Sequence, residues 1–195
     1  MTQLRAAIVL SILFTLLTGL VYPLAITGLG QVLLPHQANG SLIKRGETII
    51  GSALVGQHFA SDRYFQGRPS VTSAVDPADA TKTIDAPYNA ANSTGSNLGP
   101  SSKALAETME ARAKALGVGP QPADMVTASA SGLDPHITPS GAGVQIARIA
   151  KARGKPEAEI RALVERHTEG RDLGVLGQLR INVLVLNLAL DAATP

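Results

Sequence analysis

Residues 7–27 read Ala-Ile-Val-Leu-Ser-Ile-Leu-Phe-Thr-Leu-Leu-Thr-Gly-Leu-Val-Tyr-Pro-Leu-Ala-Ile-Thr, and this stretch divides the chain into two physical parts. Its only polar side chains are hydroxyls, which can bond back to helix carbonyls. Its length matches the roughly 20 apolar residues needed to cross a bilayer core of about 30 Å. The apolar run continues to Leu34, longer than a straight crossing needs, so the helix is expected to tilt or emerge from the membrane. Pro23 removes one ladder hydrogen bond and is expected to kink it. A cleaved signal peptide carries an apolar region of about 7–15 residues and an A-x-A-like site. This run is about twice that long and no such site follows, so it reads as a retained anchor.

Charge follows the same division. From Ala6 to Ile43 there is no Asp, Glu, Lys or Arg. Of the 17 Lys and Arg residues, only Arg5 precedes Lys44, and all 15 Asp and Glu residues follow it. The net charge of +2 is too small to point to nucleic acid. The absence of cysteine excludes a disulfide scaffold, a Cys-ligated zinc site, an iron–sulfur cluster and a thiol nucleophile. A short tail with Arg5 ahead of the apolar run places the N-terminus inside and the following domain outside, although Lys44 and Arg45 pull the other way. The expected organisation is a cytoplasmic tail over 1–6, a transmembrane helix over 7–34 with its membrane core at about 7–27, a linker over 35–46 and a soluble domain over 47–195.

In the soluble part, residues 47–52 predict a strand followed by a bend. Residues 60–100 are dense in Gly, Pro, Ser, Asn and Asp, a composition that often means disorder. Yet Phe59, Tyr64, Phe65 and Tyr88 are all the aromatics of the soluble part, so the region predicts ordered loops packed over a core. Residues 71–86 lack aromatics and read as a mobile tongue. Helical spacing predicts three helices: one capped by Ser101 or Ser102 and ending at Leu116 before Gly117, one over about 141–153 stopped by Gly154, and one beginning at Pro156. His167 falls on the face of the third as a packing residue. A short strand is expected near 124–128. Residues 181–190 fit a helix capped by Asn182 or a strand, with the helix favoured. The fold class is a single N-terminal transmembrane helix plus one α/β (α+β) extracytoplasmic domain with long ordered loops.

No HExxH or helix-face histidine pair occurs among His36, His58, His136 and His167, and no metal site is expected. Asp134-Pro135-His136 lies near Ser129 and Ser131, but no G-x-S-x-G elbow supports a hydrolase triad, and Asp before Pro initiates turns. The run from Ser93 to Pro100 is a Gly/Ser loop ahead of a helix N-terminus, a place suited to anions, but no Lys-Ser/Thr follows its second glycine as in a Walker loop. Ser93, Gly95, Ser96 and Asn97, with Gln145, are the candidate nucleotide contacts. Tyr64-Phe65-Gln66-Gly67-Arg68-Pro69-Ser70 combines two aromatics with an arginine, which suits an interface hot spot or a core corner equally. Tyr64, Phe65, Arg68, Tyr88, Asp134 and His136 are accordingly candidates for partner contact or structural roles, and no catalytic residue is assigned. A membrane-anchored ligand-binding module using the Gly/Ser loop, or an anchored hydrolase, is the alternative.

The ordered set Tyr22-Pro23, Gly51-Ser52 with Gly56-Gln57, Tyr64-Phe65 through Gly67-Arg68-Pro69-Ser70, Tyr88-Asn89-Ala90, Gly95-Ser96-Asn97-Leu98-Gly99-Pro100, Ser131 to Ile137, Arg153-Gly154 and Leu186-Asn187-Leu188-Ala189-Leu190-Asp191 spans nearly the whole chain. Together these pieces resemble the C subunit of the Kdp-type potassium-transporting P-type ATPase. The chain departs from the family pattern at Thr94, Ser101-Ser102 and Ala130. The resemblance implies a single-pass inner-membrane subunit beside a channel-like potassium-translocating subunit, an ATP-hydrolysing subunit and a small fourth membrane subunit. It implies a subunit that is not itself the ATPase, acting as a catalytic chaperone that raises the pump subunit's affinity for ATP. It implies no firmly bound cofactor, with ATP reached through the partner subunit.

Overall fold

The computed structural model describes residues 2–117 and 119–193. It divides into two compact units, Met1–Ile50 and Gly51–Pro195. The first is built on one helix, apolar over the 31 residues Gln3–Leu33 and long enough to cross a membrane. At about 1.5 Å per residue that is roughly 46 Å. It comprises α1 (Thr2–Leu16), a π-helical turn over Leu17–Val21 and α2 (Tyr22–Leu33). The π turn sits directly ahead of Pro23, where the missing N–H and the ring would disturb an ordinary i→i−4 ladder, so the widened turn is how the helix absorbs the proline. The Thr18 hydroxyl donates to the Phe14 carbonyl at 2.7 Å, satisfying itself within the helix. Residues 35–46 hold α3 (Pro35–Ala38) and β1 (Leu42–Arg45), and β1 pairs with β2 (Thr48–Ser52).

The second unit packs helices on a small sheet. β5 (His136–Ile137), β7 (Arg180–Asn182) and β6 (Thr168–Glu169) form an antiparallel sheet in the order β5-β7-β6. Against β7 pack α6 (Pro139–Gly143) and α9 (Val183–Ala192), and α8 (Glu157–Arg166) packs on both of these and on α7 (Ile146–Arg153). Ile137, Ile146, Ile149, Ile160, Ile181, Leu186 and Leu190 form the centre of the core, joined by Phe65 from the long loop region. Local signals place these elements. Thr138 caps α6 by accepting from Gly141 N–H, and α7 stops at Gly154, whose φ of 65° a side chain would strain. Asn182 ends β7 and caps α9, accepting from Val185 N–H at 3.1 Å while donating to Ala53 O at 2.8 Å. Residues 181–190 are therefore strand at the first two positions and the favoured helix after them.

α4 (Lys103–Leu116) starts on Ser102 and ends at Gly117, as its spacing predicts. Three expectations are corrected. Residues 71–86 are a hairpin, β3 (Ser73–Asp76) against β4 (Asp79–Asp85), with Asp76 Oδ1 accepting Ala78 N–H in the turn. The expected strand at 124–128 is one helical turn, α5 (Ala123–Val126), which buries Met125 and Val126; the Thr127 hydroxyl bonds back to Ala123 O. The helix expected over 141–153 is two, α6 and α7. They part at Val144-Gln145 because the Gln145 side chain turns back to Gly141 O and across to residue 66.

Candidate functional site

The segment Tyr64–Ser70 runs over the core, and side chains from α7 and α9 hold it by its backbone. Arg148 donates to the carbonyls of Asp62 (2.7 Å) and Tyr64 (3.1 Å). Arg153 donates to Arg63 O at 2.8 Å. Asn187 accepts the Phe65 N–H and donates to the Phe65 carbonyl, both at 2.9 Å. Gln145 does the same for Gln66, at 2.8 and 3.0 Å. Two buried amides thus read two consecutive peptide units as a neighbouring strand would. This satisfies backbone groups that cannot reach water, and it seats the fully buried Phe65 ring in the core. Arg153, its side chain 1% exposed, pairs with Asp191 at 2.8 Å and lies 5.0 Å over the Tyr64 ring, whose hydroxyl also donates to Asp191. Burial holds the Arg148 guanidinium below its ordinary pKa.

Tyr88 closes the other side. Its backbone is left-handed (φ 63°), and its hydroxyl donates to Arg68 O at 2.7 Å. The ring lies between two glycines. A Cβ on Gly56 would stand 2.4 Å from the ring and 2.7 Å from Asp134 O, and one on Gly67 would stand 2.2 Å from the hydroxyl. Only glycine fits at either place. Burial, and then the Asp134 charge, push the Tyr88 hydroxyl up to about 12, against the opposing pull of Arg68. Behind it, the Thr72 hydroxyl donates to Ala86 O at 2.6 Å, so Ser70 must be the donor in the 3.0 Å pair between the two hydroxyls. The Ser70 oxygen in turn accepts Tyr88 N–H, and the Thr72 oxygen accepts Asn89 N–H. Motif residues read as loop punctuation are therefore a connected hydrogen-bond frame.

Arg68 pairs with Asp134 at 3.0 Å, both about one-quarter exposed, and reaches Ala128 O and the Thr127 hydroxyl more weakly. Asp134 Oδ1 accepts His136 N–H at 3.0 Å, the turn expected of Asp before Pro, and stands 3.7 Å from the imidazole. Arg68, Asp134 and His136 thus converge on one cleft. Among the described residues no serine hydroxyl bonds to that imidazole. Ser131 Oγ accepts Leu133 N–H, and Ser129 is buried. A second cleft of about 300 Å³ lies between the segment and α4, lined by His58, Phe59, Arg68, Tyr88, Arg112 and Leu116 among others. Among the described residues, no group of His, Asp and Glu is arranged to hold a metal ion.

The nucleotide candidates do not come together. Gln145 is buried, and its acceptor takes N–H groups of Gln66 and Arg148 while its donors go to Gln66 O and Gly141 O. No polar atom of it is left to offer. Ser93 donates to Ser131 O, Gly95 packs against Ala130 O, and Ser96 and Asn97 are exposed. The helix N-terminus that follows is capped by Ser102, five residues past Asn97. Sequence reasoning missed Asn187, Arg148, Arg153 and Thr72 as organisers of the site. The available signal was Asn187 itself, one amide inside the apolar run Val-Leu-Val-Leu-Asn-Leu-Ala-Leu.

Residues 4–192 match the model of the family described as KdpC: K+-transporting ATPase, c chain. The potassium-transporting ATPase KdpC subunit of Rhodopseudomonas palustris (strain TIE-1) is 57% identical, over 99% of this chain and 98% of that protein. The KdpC subunit of Methylorubrum populi is 56% identical over 98% and 97%. That of Bradyrhizobium diazoefficiens is 55% identical over the same shares.

Proposed function

The chain belongs to the family of K+-transporting ATPase c chains, and from that premise we propose that it is a non-catalytic accessory subunit, held in the inner membrane by the long apolar helix Gln3–Leu33. Its partners are a channel-like potassium-translocating subunit, an ATP-hydrolysing subunit and a small fourth membrane subunit. The observation that carries this reading is how the domain uses its polar side chains. Arg68, Arg148, Arg153, Gln145, Asn187 and Tyr88 all bind the chain's own backbone or carboxylates, which builds a rigid docking body rather than a reactive centre.

The domain lies outside the inner membrane. Arg5 ahead of a long uncharged helix, and a cysteine-free domain after it, support that orientation. A domain there cannot touch cytoplasmic ATP. The subunit therefore raises the ATP affinity of the ATP-hydrolysing subunit indirectly, by docking and favouring the binding-competent state of its partners. Nucleotide binds on the partner. A reporter fused after Pro195 tests the orientation: alkaline phosphatase is expected to be active there and a fluorescent reporter of cytoplasmic folding dark. The reverse pattern would overturn the orientation and reopen direct nucleotide contact.

A further inference from the structure

Residues 170–179 join β6 to β7, and every one of them is exposed. Within this run Leu173 is 89% exposed, Val175 72%, Leu176 58% and Leu179 50%. The loop is held in one shape. Asp172 and Leu176 exchange both backbone hydrogen bonds at 2.9 Å, and Gly174 N–H donates to Arg171 O. At its base Arg180 grips both oxygens of Asp172 and one of Glu169. Leu173, the most exposed side chain, sits in the left-handed region at φ 53°. Any side chain with a Cβ is strained there. A lone domain gains nothing from holding four large aliphatic side chains in water on a strained, pre-shaped loop, whereas contiguous exposed apolar surface marks interaction sites.

We propose that residues 171–180 are an apolar finger that docks into an apolar groove on another protein subunit of the potassium-transporting complex. This rests on the subunit reading above. The charges at the finger's base select protein over lipid. Glu169, Arg171, Asp172 and Arg180 sum to zero, and Arg180 is already neutralised by two carboxylates. A lipid surface is recognised by clusters of free cations and by interfacial Trp and Tyr, and residues 166–180 contain no Phe, Tyr or Trp. An aliphatic tip above a neutral, hydrogen-bonded base matches the apolar core and polar rim of a protein interface.

The test uses the full chain expressed with the rest of its complex and purified in detergent through a tag on this chain. Asparagine tolerates the left-handed region, so Leu173→Asn with Leu176→Gln removes apolar surface without disturbing the loop. The double variant is expected to keep its urea midpoint and to retain partner subunits roughly tenfold less well. A photo-reactive benzophenone side chain at position 173 is expected to crosslink to a different subunit. A lipid adduct, an adduct with a second copy of this chain, or full partner retention by the double variant overturns the finger. If the unmodified chain retains no partner at all, the subunit reading falls and the finger with it. If the unmodified chain and the variant assemble equally, the finger alone falls.

Discussion

Replacing Gly67 by alanine is expected to destabilise the domain by about 3 kcal/mol, and removing the Tyr88 hydroxyl is expected to restore part of that loss. The new Cβ would stand 2.2 Å from the Tyr88 hydroxyl but 3.2 Å from the ring carbon that bears it. The ring cannot retreat, because Gly56 brackets it and its hydroxyl is bonded to Arg68 O. Tyr88→Phe alone removes that bond and costs about 1 kcal/mol. The two changes should therefore be non-additive, the double variant being more stable than Gly67→Ala alone by about 1 kcal/mol or more. Urea unfolding of the full chain in detergent, followed by tyrosine near-ultraviolet dichroism, measures the cycle. Strict additivity would mean that the ring does not occupy the space between the glycines.

Asn187→Leu is expected to cost about 3–5 kcal/mol, the largest single effect in the domain. The two side chains have the same number of heavy atoms and the same branched shape, so the change opens no cavity; what it removes is a donor and an acceptor. The change strands the Phe65 N–H and C=O beneath a ring that is fully buried, and each orphaned buried group costs about 1–3 kcal/mol. Partner retention should fall with it, since the Tyr64–Ser70 segment would lose its anchor on α9. The same unfolding measurement checks this. A loss under about 1 kcal/mol would show that the amide does not hold the segment.

What the sequence revealed and what it hid follow from the range of the interactions. The membrane helix is legible because a long stretch without charge has few other uses. α4, α7 and α8 are legible because each carries its own punctuation: Ser102 and Gly117, Gly154, and Pro156. The β3–β4 hairpin is not, because β4 is exposed past its first residue, β3 is at most half-buried, and neither shows apolar alternation. α5 is four residues long, too short for any period to appear. The aromatics point to the loop that packs on the core, where Phe65 is fully buried, yet what holds that loop is invisible locally. Asn187 and Phe65 are 122 residues apart, and Gln145 and Gln66 are 79 apart. Gln145 reads as a nucleotide contact because the local sequence says nothing of the segment that covers it.

The claim that this chain serves its complex through docking, not through chemistry of its own, meets its most direct test in potassium-stimulated ATP hydrolysis measured over a range of ATP concentrations. The comparison is between membranes that carry the complex with this chain and membranes that carry it without. The account predicts a higher KM for ATP in its absence, brought back down by adding the purified chain, which hydrolyses no ATP alone. An unchanged KM, or ATP turnover by the isolated chain, would contradict it.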